Sequence, residues 1–261
     1  MRLTVLDWNV NGFADRGQAD LLGSLTWDVA CLQEVTEQSW PGILKCADGG
    51  DVAFRHLPPL AGRPPRYGTA VLVRGHELSL RGFDLLPDMP SPERAATAQL
   101  RTPLGDIWVG SWAAPPARGG WGPSGKGRQV QRFAAWLRDR PGPTVVGIDR
   151  NAPRWERPDL ADDVWWNERE PLLYGPDRVH DLRDVYRDHL DRDPDELARS
   201  LAARPDGPLM VTHERKGVPC RYDAVYATPE FRVLDVRHLW SEARAAGSDH
   251  GIVIASLELT A

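Results

Sequence analysis

The sequence predicts an α/β fold in which several strands end in polar residues. Three short apolar runs, Leu3–Trp8, Trp27–Leu32 and Thr144–Ile148, have the composition of buried strands. An amide or a carboxylate follows each of them, and a fourth run, Gly251–Leu257, begins directly after an Asp-His pair. At 261 residues, of which 41% are hydrophobic, the chain can bury the core of one large domain, so we expect a single domain over 1–261.

The first half of the chain begins with a strand-helix-strand unit. Leu3–Trp8 is its first strand, Gln18–Leu25 has a short helical pattern, and Trp27–Leu32 is its second strand. Strands separated by short turns favour a sheet that contains hairpins. Turns rich in proline and glycine separate three such candidates, which are Tyr67–Arg74, Ala96–Arg101 and Asp106–Trp112.

A second strand-helix-strand unit lies in the middle of the chain, after the Asp106–Trp112 strand. Apolar residues recur at helical spacing from Lys126 to Arg138, and Pro141-Gly142-Pro143 ends this helix before the Thr144–Ile148 strand. Residues 152–174 have an irregular pattern. We expect a long loop with partial helix there.

The last third of the chain predicts one helix and several strands. Asp193 is a typical cap residue, Pro194 suits the first turn, and Glu196 completes a capping pattern, so a helix should run to about Ala203. The strand candidates are Met210–His213, Arg221–Tyr226, Phe231–Trp240 and Gly251–Leu257.

Cysteine usage and the N-terminal sequence restrict the class of protein. Cys31, Cys46 and Cys220 are odd in number and far apart, so the sequence favours neither a disulfide framework nor a zinc site. Met1–Val5 enters a strand pattern at once, and no apolar stretch reaches the length of a membrane span. We therefore expect a cytoplasmic protein without membrane insertion.

The charge distribution argues against a protein that coats long nucleic acid by electrostatics alone. The net charge is −5, and it is uneven along the chain. Residues 1–140 carry 16 Lys and Arg against 14 Asp and Glu, whereas residues 141–261 carry 16 against 23. The acidic second half also disfavours binding to anionic membranes.

The polar groups at the strand ends point to chemistry on phosphate. Carboxylates and amide oxygens, with one histidine and no cysteine, suit a hard divalent cation such as Mg²⁺ or Mn²⁺. Such an ion can promote attack of water on phosphorus. The motifs occur in this order: Trp-Asn-Val-Asn-Gly at 8–12, Leu-Gln-Glu-Val at 32–35, Gly-Thr-Ala-Val-Leu-Val at 68–73, Asp-Arg-Asn at 149–151, Arg-Tyr-Asp-Ala-Val-Tyr at 221–226 and Ser-Asp-His at 248–250.

These six motifs, in this order, resemble the endonuclease/exonuclease/phosphatase superfamily, which includes exonuclease III-like and deoxyribonuclease-like enzymes. The resemblance spans nearly the whole chain. It implies a four-layer α/β/β/α sandwich, with two mixed sheets packed face to face and helices outside.

The resemblance also implies roles for individual residues. Glu34 would be the central metal ligand, and Asn9, Asn11 and Asp249 would lie near the metal, bound directly or through water. Catalytic roles fall on four further positions. Asp149 would orient or deprotonate the attacking water, Asn151 would hold that water or the phosphate, His250 would donate to a phosphoryl oxygen, and Asp223 would orient His250.

Each of these residues has an ordinary alternative role. A lone Asn after a strand is most often a turn residue, and a lone Glu is usually solvated. Lys126 and Arg128, near a helix start, are candidates for phosphate binding, but a solvated helix end is at least as common. For Arg150, inside the Asp-Arg-Asn motif, phosphate binding and an ordinary solvated role are likewise both open. Among the tryptophans, only Trp155, Trp165 and Trp166 are candidates for stacking on a base or ring.

The sequence departs from the family pattern at one place. Relatives commonly carry His or Tyr at the end of the strand that matches Ile107–Trp112. Here Trp112 or Ala113 occupies that position, depending on register, and neither can transfer a proton. General acid catalysis typically contributes roughly 10² to 10⁴ in rate, so departure of a poor leaving group should be slow.

The sequence therefore predicts a Mg²⁺- or Mn²⁺-dependent phosphoric-ester hydrolase, more a phosphodiesterase or nuclease than a phosphomonoesterase. A binding module that keeps the fold and metal site but has little turnover is the alternative, because of the missing His or Tyr. The substrate could also be a phosphomonoester, a lipid phosphate or an inositol phosphate, since one fold serves all of these. Oligomeric state and metal number stay open.

Overall fold

The computed structural model describes residues 1–13, 16–54, 67–86, 88–115, 122–140, 142–153, 155–157, 169–175 and 177–260. The strands are β1 (Arg2–Asn9), β2 (Val29–Val35), β3 (Val52–Phe54), β4 (Gly68–Val73), β5 (Ser79–Leu85), β6 (Ala95–Thr102), β7 (Gly105–Ala113), β8 (Thr144–Asp149), β9 (Arg183–Asp184), β10 (His213–Arg215), β11 (Val218–Cys220), β12 (Asp223–Ala227), β13 (Phe231–Leu239) and β14 (Ile252–Leu259). The helices are α1 (Arg16–Ser24), α2 (Trp40–Cys46), α3 (Gly122–Arg138), α4 (Val185–Leu190), α5 (Pro194–Ala203) and α6 (Trp240–Ala245).

The strands form two six-stranded mixed sheets and a separate two-stranded hairpin, β10–β11. The first sheet has the order β13-β14-β1-β2-β4-β3, in which only β1 and β2 pair in parallel. The second sheet has the order β5-β6-β7-β8-β12-β9, in which only β7 and β8 pair in parallel. The two parallel pairs therefore occupy the centres of their sheets.

Alternation of side chains along the central strands creates the layers. Leu3 and Val5 of β1 face the second sheet and join the core between the sheets. Leu6 and Trp8 face the opposite way and pack with residues of α1, α2 and α6. On the far side of the second sheet, residues of β7 and β8 pack against α3. The predicted four-layer α/β/β/α sandwich is confirmed.

Local sequence signals account for several element boundaries. Asp193 caps α5 as predicted, since its Oδ1 accepts a hydrogen bond from Glu196 N at 2.9 Å. Asp184 caps α4 in the same way, through Tyr186 N at 3.1 Å. The strand predicted at Met210–His213 is wrong, because the strand runs over His213–Arg215 in an exposed polar hairpin. No helix in the described ranges is long and apolar enough to cross a membrane.

Candidate active site

One end of the sandwich collects the ends of the central strands. The parallel strands β1 and β2 end at Asn9 and Val35, and β8 ends at Asp149. Strand β12 begins at Asp223, which pairs directly with Asp149. Because the two sheets pack face to face, these strand ends form one cleft floor.

Asp149 is the centre of a buried polar group. The side chain of Asn9 donates to Asp149 Oδ2 at 3.0 Å, and Asn151 Nδ2 donates to the same oxygen at 3.0 Å. Asn151 N also donates to Asp149 Oδ1 at 3.0 Å. Two amides therefore fix the direction of a carboxylate that is only 1% exposed.

His250 and Asp223 form a second buried pair beside Asp149. His250 Nδ1 lies 2.9 Å from each carboxylate oxygen of Asp223. Burial alone would lower the pKa of His250, but the negative charges of Asp223, Asp149 and Asp249 raise it to about 10. His250 is therefore a cation near neutral pH, and Nδ1 carries a proton. Its Nε2 is left to act as a donor.

Backbone contacts place the Asp249-His250 turn on the end of β1. Ser248 Oγ donates to Asn9 O at 2.8 Å and accepts from His250 N at 3.0 Å. Trp8 Nε1 donates to His250 O at 3.2 Å. The first and last predicted motifs are thus joined directly, although more than 230 residues separate them.

Three oxygen-bearing side chains at this end are not engaged by the protein. Within the described part of the chain, the side chains of Glu34, Asn11 and Asp249 make no hydrogen bond and no ion pair. Burial raises the pKa of Glu34 above its ordinary value of 4.5, with a further rise from Asp149 and an opposing effect from Arg94. A cation bound here would remove that electrostatic cost.

Three non-glycine residues at the same end of the molecule have a left-handed backbone conformation. Asn11, Glu34 and Asn151 adopt positive φ angles of 43°, 57° and 48°. Non-glycine residues rarely adopt this region, and such conformations concentrate at functional sites. Asn11 and Asn151 follow the ends of β1 and β8, and Glu34 lies at a β-bulge near the end of β2.

The donor set suits a hard divalent cation. Two carboxylates and an amide supply oxygen, and no thiolate is among them. His250 belongs to two groups of three possible metal ligands. One group is Asp149, Asp223 and His250, and the other is His213, Asp249 and His250; within each group the ligand atoms lie within 4.8 Å of one another. Glu34 belongs to neither group among the described residues. Asn9, predicted as a ligand, uses Oδ1 to accept from Asn11 N at 3.0 Å and Nδ2 to hold Asp149.

The predicted phosphate-binding residues lie in different environments. Lys126 is 1% exposed, and its Nζ lies 2.5 Å from Glu170 and 3.4 Å from Asn151 O. Lys126 therefore contacts the backbone of Asn151 and is not free to bind a phosphate while it pairs with Glu170. Arg128 is exposed on α3 and lines a cleft of about 720 Å³ with Asp88 and Arg132.

Arg150 belongs to the protein interior. Its Nη2 donates to Arg221 O at 2.6 Å and its Nη1 donates to Tyr226 OH at 3.1 Å. Arg221 in turn binds Asp184 at 2.6 Å and Glu156 at 2.9 Å. These buried ion pairs tie the strand that ends at Asp149 to the strand that begins at Asp223.

The position of the missing His or Tyr is resolved by the register of β7. Trp112 is fully buried in the outer core, where its Nε1 donates to Tyr174 OH at 2.8 Å and its ring stacks on Phe133. Ala113 pairs with Asp149 and lies at the cleft. Ala113 therefore places a methyl group at the position where the family resemblance predicts a His or Tyr.

A polar contact between the sheets lies directly beneath the cleft floor. Gln33 Nε2 donates to Asp7 Oδ1 at 2.7 Å and to Ser111 Oγ at 3.2 Å, and all three side chains are fully buried. A Cβ on Gly147 would lie 2.5 Å from Asp7 Oδ1. This close approach explains the glycine at position 147, and the next residue, Ile148, points into the outer core.

Sequence reasoning missed two residues of the cleft. His213 Nδ1 lies 3.1 Å from Asp249 O, and its ring centroid lies 4.4 Å from that of His250. Arg94 directly precedes β6, lies beside Ala113, and its positive charge lowers the pKa of Glu34, opposing the effect of burial. Neither belongs to a motif, so no local pattern could have found them. Trp155 is 52% exposed, while Trp165 and Trp166 lie outside the described residues.

A match to a protein family over nearly the whole chain decides which family the chain belongs to. Residues 8–250 match the Endonuclease/Exonuclease/phosphatase family. The chain belongs to this family. No curated protein sequence matches it. Members of the family are phosphoester hydrolases that depend on divalent metal ions.

Solved structures with the same fold share little sequence with the chain. An AP endonuclease from Archaeoglobus fulgidus is 18% identical, with a TM-score of 0.68 over 97% of this chain and 98% of that one. D. rerio TDP2, solved with a single-strand DNA product, is 15% identical, with a TM-score of 0.65 over 98% and 99%. ANGEL2, a 2′,3′-cyclic phosphatase, is 16% identical, with a TM-score of 0.64 over 100% and 96%.

Proposed function

We propose that the protein is a Mg²⁺- or Mn²⁺-dependent phosphodiesterase that cleaves a P–O bond by in-line attack of water. The observation that carries this proposal is the convergence of Glu34, Asp149 and the Asp223–His250 pair at one end of the sandwich, from strands β2, β8 and β12 and the turn before β14. A decayed site would be expected to have lost one of these groups.

Glu34, Asn11 and Asp249 are the residues proposed to hold the metal, with Asn9 near it. When bound, the cation would polarise a phosphoryl oxygen and offset the negative charge that develops on it. The three unengaged side chains support this assignment because each has oxygen lone pairs left for a ligand.

Asp149 is proposed to orient the attacking water and to accept its proton. Its two oxygens already accept from Asn9 and Asn151, so a water held by a remaining lone pair would have a fixed direction. Asn151 Nδ2 donates to Ala114 O at 3.0 Å as well as to Asp149 Oδ2, so Asn151 is proposed to hold the attacking water through its Oδ1, or the phosphate once the amide turns. This arrangement favours general base catalysis on water over attack by a protein nucleophile.

His250 is proposed to donate from Nε2 to a phosphoryl oxygen. Its pKa of about 10 keeps the ring charged at neutral pH, and Asp223 holds the ring in place through Nδ1. A fixed cationic donor stabilises the transition state because it needs no reorientation as charge develops.

Nucleic acid is the first substrate class to test. TDP2 is solved with single-strand DNA, and the Archaeoglobus fulgidus relative is an AP endonuclease. The purified protein should be screened against single-stranded and duplex nucleic acid, bis-nitrophenyl phosphate, lipid phosphodiesters and inositol phosphates, with Mg²⁺, Mn²⁺ or EDTA. Metal-dependent hydrolysis that Asp149→Asn removes is the expected result. Absence of hydrolysis under every condition would favour the binding module instead.

A further inference from the structure

Arg94 is a cation at the cleft that no motif identifies. It is half-buried at the end of a 3₁₀ turn, Pro92–Arg94, that leads into β6, and β6 pairs with β7 so that Ala95 lies opposite Trp112. Arg94 Nη1 lies 3.5 Å from Ala113 O. The guanidinium is therefore next to the position where relatives carry His or Tyr.

Hydrogen bonds from α3 and from β4 hold the Ser91–Arg94 turn in place. Gln129, fully buried on α3, accepts from Ser91 N at 3.0 Å and donates to Ser91 O at 2.7 Å. On the other side, Thr69 Oγ1 donates to Glu93 O at 3.2 Å. Arg94 N donates back to Ser91 O at 3.2 Å. The position of Arg94 is thus set by the scaffold.

Arg94 has no ion-pair partner in the described part of the chain. Its one side-chain hydrogen bond is the long contact with Ala113 O. Arg150 and Arg221, by contrast, are fully buried and bound to carboxylates and carbonyls of the protein. A guanidinium keeps its charge at any physiological pH and has five donors, so a half-buried and unpaired one is a natural partner for an anion.

We propose that Arg94 is a catalytic residue that contacts the phosphate on its leaving-group side and stabilises the departing oxygen. This inference rests on the proposed phosphodiesterase function. As water forms its bond to phosphorus, the bond to the leaving oxygen breaks and that oxygen takes the electron pair. Arg94 donates hydrogen bonds to it, Asp149 holds the proton of the attacking water, and solvent protonates the alkoxide after it departs.

Arg94 thereby supplies the charge stabilisation of the missing His or Tyr but not its proton. Arginine cannot act as a general acid, because a guanidinium does not give up its proton under physiological conditions. The assistance should matter most for leaving groups that depart as strongly basic alkoxides. A nitrophenolate disperses its own charge and needs little help.

The test compares leaving groups in Arg94 variants. Arg94→Gln keeps polarity and removes charge, and Arg94→Lys keeps charge and removes the planar fork. Arg101→Gln is the matched control, an exposed arginine at the far end of β6, the strand that follows Arg94. Turnover should be measured with Mn²⁺ on diesters that differ only in the leaving alcohol or phenol. We expect Arg94→Gln to lower kcat on alkyl esters by about 10² to 10³, the cost of one lost transition-state donor, and on nitrophenyl esters by less than about 10.

Inorganic phosphate provides a second readout that does not need turnover. In EDTA, calorimetry should show weaker phosphate binding to Arg94→Gln than to the wild type, with Arg94→Lys intermediate and Arg101→Gln unchanged. Equal losses on alkyl and nitrophenyl esters, or unchanged phosphate binding, would overturn the proposal. If the wild type hydrolyses no ester with any metal, the proposed function fails, and the phosphate titration alone then decides whether Arg94 binds an anion.

Discussion

Glu34 combines three properties that rarely occur together in a surface carboxylate. It is half-buried, its backbone is in the left-handed region, and its side chain has no hydrogen-bond partner among the residues described. Each of these has an energetic cost without a ligand.

We expect Glu34→Gln to bind Mn²⁺ at least about 10-fold more weakly, because the substitution removes a ligand charge but keeps side-chain shape. Isothermal calorimetry on the folded variant measures this. Asp249→Asn should show a smaller loss if Asp249 binds through water. Unchanged affinity in Glu34→Gln would exclude it as the central ligand.

His250 and Asp223 should behave as one unit. In the metal-free protein, NMR should find His250 protonated up to about pH 10, since its pKa is raised by Asp223, and the charge should be lost only as pH rises through that value. In Asp223→Asn the titration should move toward the ordinary value of 6.5.

Kinetics test the same pair in the active enzyme. His250→Ala should lower turnover by at least roughly 10², and Asp223→Ala by less. The double variant should be little worse than His250→Ala, because both changes remove the same oriented donor. Fully additive losses would show that the two residues act separately.

At the scale of elements, Gly147 marks a close approach between the two sheets. A Cβ there would lie 2.5 Å from both Asp7 Oδ1 and Cys31 Cβ, and both of these residues are fully buried. We expect Gly147→Ala to destabilise the protein by about 1–3 kcal/mol through overpacking, measured by urea unfolding. Gly82→Ala, on the edge strand β5 with open space around its Cβ position, is the control and should be close to neutral.

The sequence predicted the elements that have strong periodicity and missed those that depend on their neighbours. The central strands and α5 were found because apolar runs and the Asp193 cap are local signals. Strand β5 was missed because a β-bulge between Leu80 and Gly82 interrupts its apolar alternation, and β10 was missed because His213–Arg215 is a short, polar and exposed hairpin strand. The motifs predicted a site that contains Asp149, Asp223 and His250, and the structure brings these three side chains together, while their catalytic roles stay predictions. Arg94 was not, because only the pairing of β6 with β7 brings it to Ala113.

At the scale of the whole molecule, the chemistry should depend on the leaving group. Ala113 places no proton donor at the cleft, and Trp112 is turned into the outer core. We expect aryl phosphodiesters to be cleaved much faster than alkyl ones, with a steep dependence of rate on leaving-group pKa. Ala113→His should raise activity on alkyl esters more than on aryl esters. A flat dependence, measured where chemistry limits the rate, would mean that another group already supplies the proton.

The two sheets have the same succession of strand directions. From β13 to β3 in the first sheet, and from β9 to β5 in the second, neighbouring strands pair twice antiparallel, once parallel and twice more antiparallel. Glu34 and Asn9 come from one sheet, and Asp149 and Asp223 come from the other. Either sheet could keep its own hydrogen bonds while sliding slightly against its partner, and such a slip would separate the reacting groups. Enzyme assays during gentle denaturation should therefore register loss of activity at lower urea than circular dichroism registers loss of strands.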